Sequence, residues 1–139
     1  MPRLFSWPIF CLLALFAAGC SNAPITVDVP LEPTHERLLR VAQAYQKANF
    51  ELQRAPRDIQ ELKLTDPESM RSPRDGEPFV VCWGFDLFQP AGNSTPVLAY
   101  EKHGKDGRRF VINVMSAVRE LNESEFQQAT FPEGHEPLR

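Results

Sequence analysis

The sequence predicts an α+β fold: one long N-terminal amphipathic helix packed on a three- to four-stranded antiparallel sheet, with a short closing helix. Three observations carry this expectation. Apolar residues between positions 38 and 52 recur at spacings of three and four, the period of one helix face. From Phe79 onward they are β-branched and aromatic and are punctuated by turn residues. Thirteen prolines, almost twice the usual ~5%, avoid two windows, 34–55 and 97–131.

Each element has local grounds. Leu38, Val41, Ala42, Tyr45, Ala48, Asn49 and Leu52 share one face of the first helix. Thr34 is its expected N-cap after Pro33, and Glu36 in the first turn suits the helix dipole. Pro56 suits the first position of a second, short helix, where a missing N–H is harmless, with Ile59 and Leu62 on one side. Residues 65–78 read as a loop, since Pro67, Pro73, Gly76 and Pro78 stand among charges. The continuous run 79–85 is expected as a central strand. Residues 89–96, with Pro90, Gly92 and Pro96, form a surface connection. Strands at 97–101 and 109–114 flank His103-Gly104-Lys105-Asp106-Gly107, a hairpin turn rich in residues that accept positive φ. A last strand returns at 117–121, and Asn122 with Glu125 resembles a capping box that turns Phe126 and Ala129 inward. The single domain is expected to span 34–131, followed by a tail at 132–139.

The chain has 139 residues, of which 42% are hydrophobic and 24% charged, with a net charge of −3. These values suit one globular domain and argue against a nucleic-acid binder, because Lys and Arg are spread singly among acids. The first residues do not fit that domain. Arg3 precedes an apolar run at 9–18, too short for the ~20 residues needed to span a bilayer, and small residues follow it. A basic start, a short apolar run and a small-residue end describe an export signal.

The stretch Ala17-Ala18-Gly19-Cys20 resembles the bacterial lipobox, with Ala17 where Leu is usual. The resemblance implies a lipoprotein signal peptide at 1–19 and a diacylglyceryl and palmitate-type anchor on Cys20. Residues 20–33 then serve as an extended tether, with Pro24, Pro30 and Pro33 and no lasting period. Multiple acyl chains hold a protein to a bilayer far better than one. Removing 1–19 takes away Arg3, the one charge there, so the net charge goes from −3 to −4. It also removes Cys11, and lipid blocks Cys20, so Cys82 is left without a disulfide partner and the fold depends on its core.

The order of elements is similar to the globular heads of type II secretion pseudopilins and of pilin-like secreted proteins, over about residues 35–115. Tyr45, Pro56 and Leu62 fall where such heads carry a helix-end aromatic, a Pro and a Leu. Ser72-Pro73-Arg74-Asp75-Gly76-Glu77-Pro78-Phe79 looks like the pseudopilin stretch leading into the first strand. The N-terminus departs from that family: a Glu five residues into a long apolar helix is absent, and a lipid takes its place.

Reactive constellations are not apparent. His35, His103 and His135 fall in a cap, a turn and a tail, without metal-ligand spacing. Cys82 stands in an apolar run with no neighbouring base, which suits a buried structural thiol. Some pseudopilin heads bind calcium in a strand-connecting loop, which makes Asp75 and Asp106 the weak metal candidates here. Calcium takes six or more oxygens, whereas the hairpin interleaves Asp106 with Lys105, Arg108 and Arg109. Trp83, Phe85 and Phe88, with Phe79, form an aromatic cluster that belongs to the core or, if Gly84 marks a bulge, faces a partner. The expectation is a lipid-anchored, extracytoplasmic, non-catalytic domain without cofactor. It contacts the membrane through its anchor and an envelope protein through its head. The alternatives are an accessory component of a type II secretion or pilus-like system, and a calcium or small-molecule binding domain.

Overall fold

The computed structural model describes residues 31–88 and 95–138. The expected signal peptide, the lipidation at Cys20, all but the last residues of the tether and most of the 89–96 connection lie outside the described residues. Helix α1 spans Pro33–Leu52, strands β1 to β4 span Val80–Val81, Val97–Tyr100, Arg108–Asn113 and Val118–Asn122, and helix α2 spans Glu123–Gln127. The four strands form one antiparallel sheet in the order β1-β2-β3-β4, so the fold is α+β.

α1 begins two residues earlier than Thr34 as N-cap would place it. Pro33 takes the first helical position, where no N–H is wanted, and Glu32 becomes the cap. Its carboxylate accepts from Thr34 N–H at 2.9 Å and His35 N–H at 3.2 Å, and from the Thr34 hydroxyl at 3.0 Å. The helix stops at Leu52 because Gln53 turns left-handed, with φ 54°. Leu38, Val41, Ala42, Tyr45, Ala48 and Asn49 are buried, and α1 packs against β2 and β3.

Pro56 does not open a helix. It is fully buried, and its carbonyl accepts from Gly84 N–H at 3.0 Å. Asp58 instead caps a single 3₁₀ turn, Ile59–Leu62, in which Leu62 is buried and Ile59 is 46% exposed. Asp66 caps a second 3₁₀ turn, Pro67–Met70, inside the stretch read as loop. Short turns of three residues per cycle suit this stretch, since its prolines forbid a longer hydrogen-bonded ladder.

The 79–85 run is not a central strand. Only Val80 and Val81 pair, with Tyr100 and Ala99, and β1 is an edge of the sheet. Cys82 N–H adds one more bond to Leu98 O at 2.8 Å, and the chain then turns away at Trp83 and Gly84, where Gly84 has φ +79°. The run's apolar residues are drawn into the core from a turn rather than from a ladder.

The β2–β3 and β3–β4 hairpins follow the expected pattern. Asp106 and Gly107, with φ 52° and 71°, form a two-residue type I′ connection closed by Lys105 N–H to Arg108 O at 2.8 Å and the reverse bond at 3.0 Å. Gly104 is required there: a Cβ would lie 2.1 Å from Arg108 O. α2 carries a complete capping box, with Glu125 N–H on Asn122 Oδ1 at 2.9 Å and Asn122 N–H on Glu125 Oε2 at 2.8 Å.

Apolar clusters cover both faces of the sheet. Leu38, Tyr45, Leu62, Phe79, Leu98 and Ile112 pack between α1 and the sheet. Cys82, Tyr100, Val111, Leu121 and Phe126 pack on the opposite side, with Phe131 against them. The segment after Phe131, expected as a tail, has no helix or strand, yet it is docked: Leu138 N–H donates to Tyr100 Oη at 3.0 Å and Arg109 Nη1 to Leu138 O at 3.3 Å.

Candidate functional site: an aromatic groove between residues 83–86 and 132–135

Two loops face one another across an open groove of about 380 Å³. Trp83, Gly84, Phe85 and Asp86 form one wall, and Pro132, Glu133, Gly134 and His135 the other.

The first wall is built by α1. Tyr45 Oη donates to Phe85 O at 2.7 Å and accepts from Phe85 N–H at 3.1 Å, so a single hydroxyl satisfies both backbone groups of that residue. Its ring stacks on Trp83, with centroids 6.1 Å apart. One helical turn on, Asn49 Oδ1 accepts from Leu87 N–H at 2.7 Å while its Nδ2 donates to Asp86 Oδ1 at 3.1 Å. Asp86 Oδ1 also accepts from Phe88 N–H at 3.0 Å. Buried polar groups that are matched in this way fix the loop, because leaving any of them unpaired is costly.

The second wall is held by rings. His135 stacks on Phe131 with centroids 5.7 Å apart and meets Tyr100 edge-on at 5.8 Å, with its Nε2 3.2 Å from Tyr100 Oη. Its N–H closes a turn on Pro132 O at 3.1 Å, and Val97 N–H on Thr130 O at 2.8 Å ties the segment to β2. Burial holds the His135 imidazole below its ordinary pKa and so favours the neutral ring.

Of the sequence-derived contact candidates, Trp83 and Phe85 meet in the groove. Phe88 does not line it: it is 63% exposed and rests edge-on against Phe50, itself 65% exposed, at 6.4 Å. Asp86, Glu133 and His135 were not singled out for this site. Their signal is weak, since the two loops that hold them are far apart in sequence and neither carries a motif.

Asp75 and Asp106 sit elsewhere, and Asp75 acts as a clip. Its Oδ2 accepts from His103 N–H at 3.1 Å and Gly104 N–H at 2.9 Å, and its Oδ1 from Glu77 N–H at 2.9 Å. Partial burial opposes ionisation, but the three N–H donors outweigh it and hold the carboxyl below its ordinary value. Those bonds tie the 72–78 loop to the hairpin. Asp106 is exposed at the hairpin tip. Among the described residues no group of three His, Cys, Asp or Glu side chains is placed to hold a metal ion.

A buried ionic cluster adjoins the clip. Glu101 is fully buried, accepting from Ser72 Oγ at 2.5 Å and Phe110 N–H at 2.7 Å, with Arg74 Nη1 3.4 Å away. Burial raises its pKa despite these partners. Arg74 also pairs with Glu120 at 2.9 Å and lies over the Phe110 ring, 4.6 Å from its centroid. Cys82 is buried too, and burial pushes its thiol up to about 12, far from a reactive thiolate. Among the described residues no helix is long and apolar enough to cross a membrane. Comparison with protein-family models, with curated proteins and with solved structures finds no match to this chain.

Proposed function

We propose that this chain is an exported protein held to a membrane by lipid on Cys20, and that it acts without catalysis, by docking an envelope protein in the groove between 83–86 and 132–135. The observation that carries the reading is the groove itself, where Trp83 and Phe85 stand at a concave surface on a backbone fixed by Tyr45 and Asn49. Partly exposed aromatic anchors in a concave, preorganised site are what protein contacts use. The burial of Cys82 supports a non-catalytic role. The lipobox-like 17–20 stretch supports the anchor.

Two measurements test it. Cells fed an alkyne fatty acid are expected to label the wild-type chain and not Cys20→Ser; label on the variant overturns the anchor. A photocrosslinking residue at position 133 is expected to give a discrete adduct in cells, whereas one at position 47, on the exposed side of α1, gives none. Equal adducts from both positions, or none from 133, overturn the docking site.

A second reading, an accessory pseudopilin-like component of a type II secretion or pilus-like system, is supported by a long amphipathic helix preceding an antiparallel meander. Crosslinked material that never contains pseudopilins or secretion proteins overturns it.

A further inference from the structure

We infer that residues 132–138 are an acid-released strap: the Tyr100 hydroxyl latches His135 and with it the second wall of the groove, and protonation of the imidazole lets that wall go. This names a regulation of the docking site proposed above and rests on that reading.

The strap has few ties to the body of the domain. Glu133, Gly134, Glu136 and Leu138 are exposed, and the hydrogen bond from His135 N–H to Pro132 O lies within the segment itself. Among the described residues, three polar ties reach it from outside. His135 Nε2 lies 3.2 Å from Tyr100 Oη, Leu138 N–H donates to the same Oη at 3.0 Å, and Arg109 Nη1 donates to Leu138 O at 3.3 Å. Two of the three meet at one hydroxyl. The Phe131 ring stacks on the imidazole, and the Tyr100 ring meets it edge-on.

That hydroxyl fixes the direction of its own bonds. Tyr100 is fully buried, and burial keeps its phenol protonated. Leu138 N–H occupies one lone pair, so the phenolic proton still needs an acceptor. Among the described residues the acceptor placed on it is His135 Nε2, which must then be unprotonated, with the ring proton on Nδ1. A second proton on the ring turns Nε2 into a donor. Two N–H groups then face one oxygen, and the phenolic proton is left in a buried place without a partner, which is costly.

The surrounding charges do not relieve this. From β3, the buried Arg109 brings a guanidinium to the strap at Leu138, and its acidic partner Glu123 on α2 is shared with Gln127. β2 contributes the neutral Tyr100, and the Cys82 thiol in the same cluster is neutral as well. Asp86 and Glu133 line the open groove and Glu136 is exposed, so water screens the acids on that side. Burial prevails and holds the imidazole below its ordinary 6.5. A ring freed from the latch regains its ordinary value, so falling pH favours the released strap.

The test follows backbone order by NMR in the full chain in detergent micelles. Between about pH 7.5 and about pH 5, order parameters at Gly134 and Leu138 are expected to fall from about 0.85 to below about 0.6, while the buried Ile112 in β3 stays rigid. His135→Gln takes up no proton but can still accept from Tyr100, and is expected to show no such pH dependence. Strap order unchanged in acid, order lost equally at Ile112, or the same pH dependence in His135→Gln overturns the inference. The adduct from position 133 is expected to weaken about tenfold in cells held at the lower pH, the factor that one orphaned buried donor gives. An undiminished adduct there overturns the regulation. A strap that stays ordered in acid while the adduct forms at neutral pH makes the strap inference false and leaves the docking reading standing. Acid release without an adduct at either pH does the reverse.

Discussion

Tyr45 shows how much one side chain decides. Its hydroxyl closes both backbone groups of Phe85, and its ring backs Trp83. Tyr45→Phe keeps the ring and leaves a part-buried N–H and C=O without partners. The expected loss is about 1–3 kcal/mol of stability, the usual penalty for orphaned polar groups. Urea unfolding measures it, and the Gly84 amide signal should broaden as the groove wall loosens. The sequence reading placed Tyr45 correctly on the buried face of α1 but not its hydroxyl. A helical period shows which way a residue points, whereas a hydrogen bond to a residue 40 positions on depends on the folded chain.

At the scale of elements, what could be read early is what local chemistry fixes. The Asn122 to Glu125 capping box and the Asp106-Gly107 turn each close within a few residues, and both form as expected. Asn122→Ala is expected to lose about 1 kcal/mol, with Asn122→Ser recovering most of it. Thermal unfolding checks this, and because Phe126 is buried on α2 the loss should appear in the global transition rather than as local fraying. Elements that depend on distant partners were read less well. The 79–85 run has the composition of a central strand, yet it pairs over two residues at an edge, because Tyr45 and Asn49 take up the backbone of Phe85 and Leu87. Pro56 has the chemistry of a helix start, but its ring is worth more buried and its carbonyl is needed by Gly84.

For the whole molecule, two titratable groups, the half-buried His135 and the fully buried Glu101, act in opposite senses on stability. His135 has a folded pKa below its ordinary 6.5, through burial. As pH falls past 6.5 the unfolded chain takes up a proton that the folded ring declines, so stability present above that pH is lost on acidification through the folded pKa. Glu101 has a folded pKa above its ordinary 4.5, through burial. There the folded state takes up the proton first, so stability grows as pH falls through its folded pKa toward 4.5. Urea midpoints measured between about pH 7.5 and 5.5 are expected to fall less steeply with acidification in His135→Gln than in the wild type, since only the histidine contribution is removed. Parallel profiles would show that burial of His135 is not coupled to folding.

The sequence by itself determined the buried positions of α1, the hairpin between β2 and β3, the closing helix cap and the burial of Cys82 within its apolar run, because each follows from residues within a turn or two of one another. The tertiary structure alone decided the shortened β1, the burial of Pro56, the docking of 132–138 and the groove. The groove has one wall from 83–86 and the other from 132–135, and no local preference brings those loops together. They meet because Tyr45 on α1 and Tyr100 on β2 each hold one of them against the core.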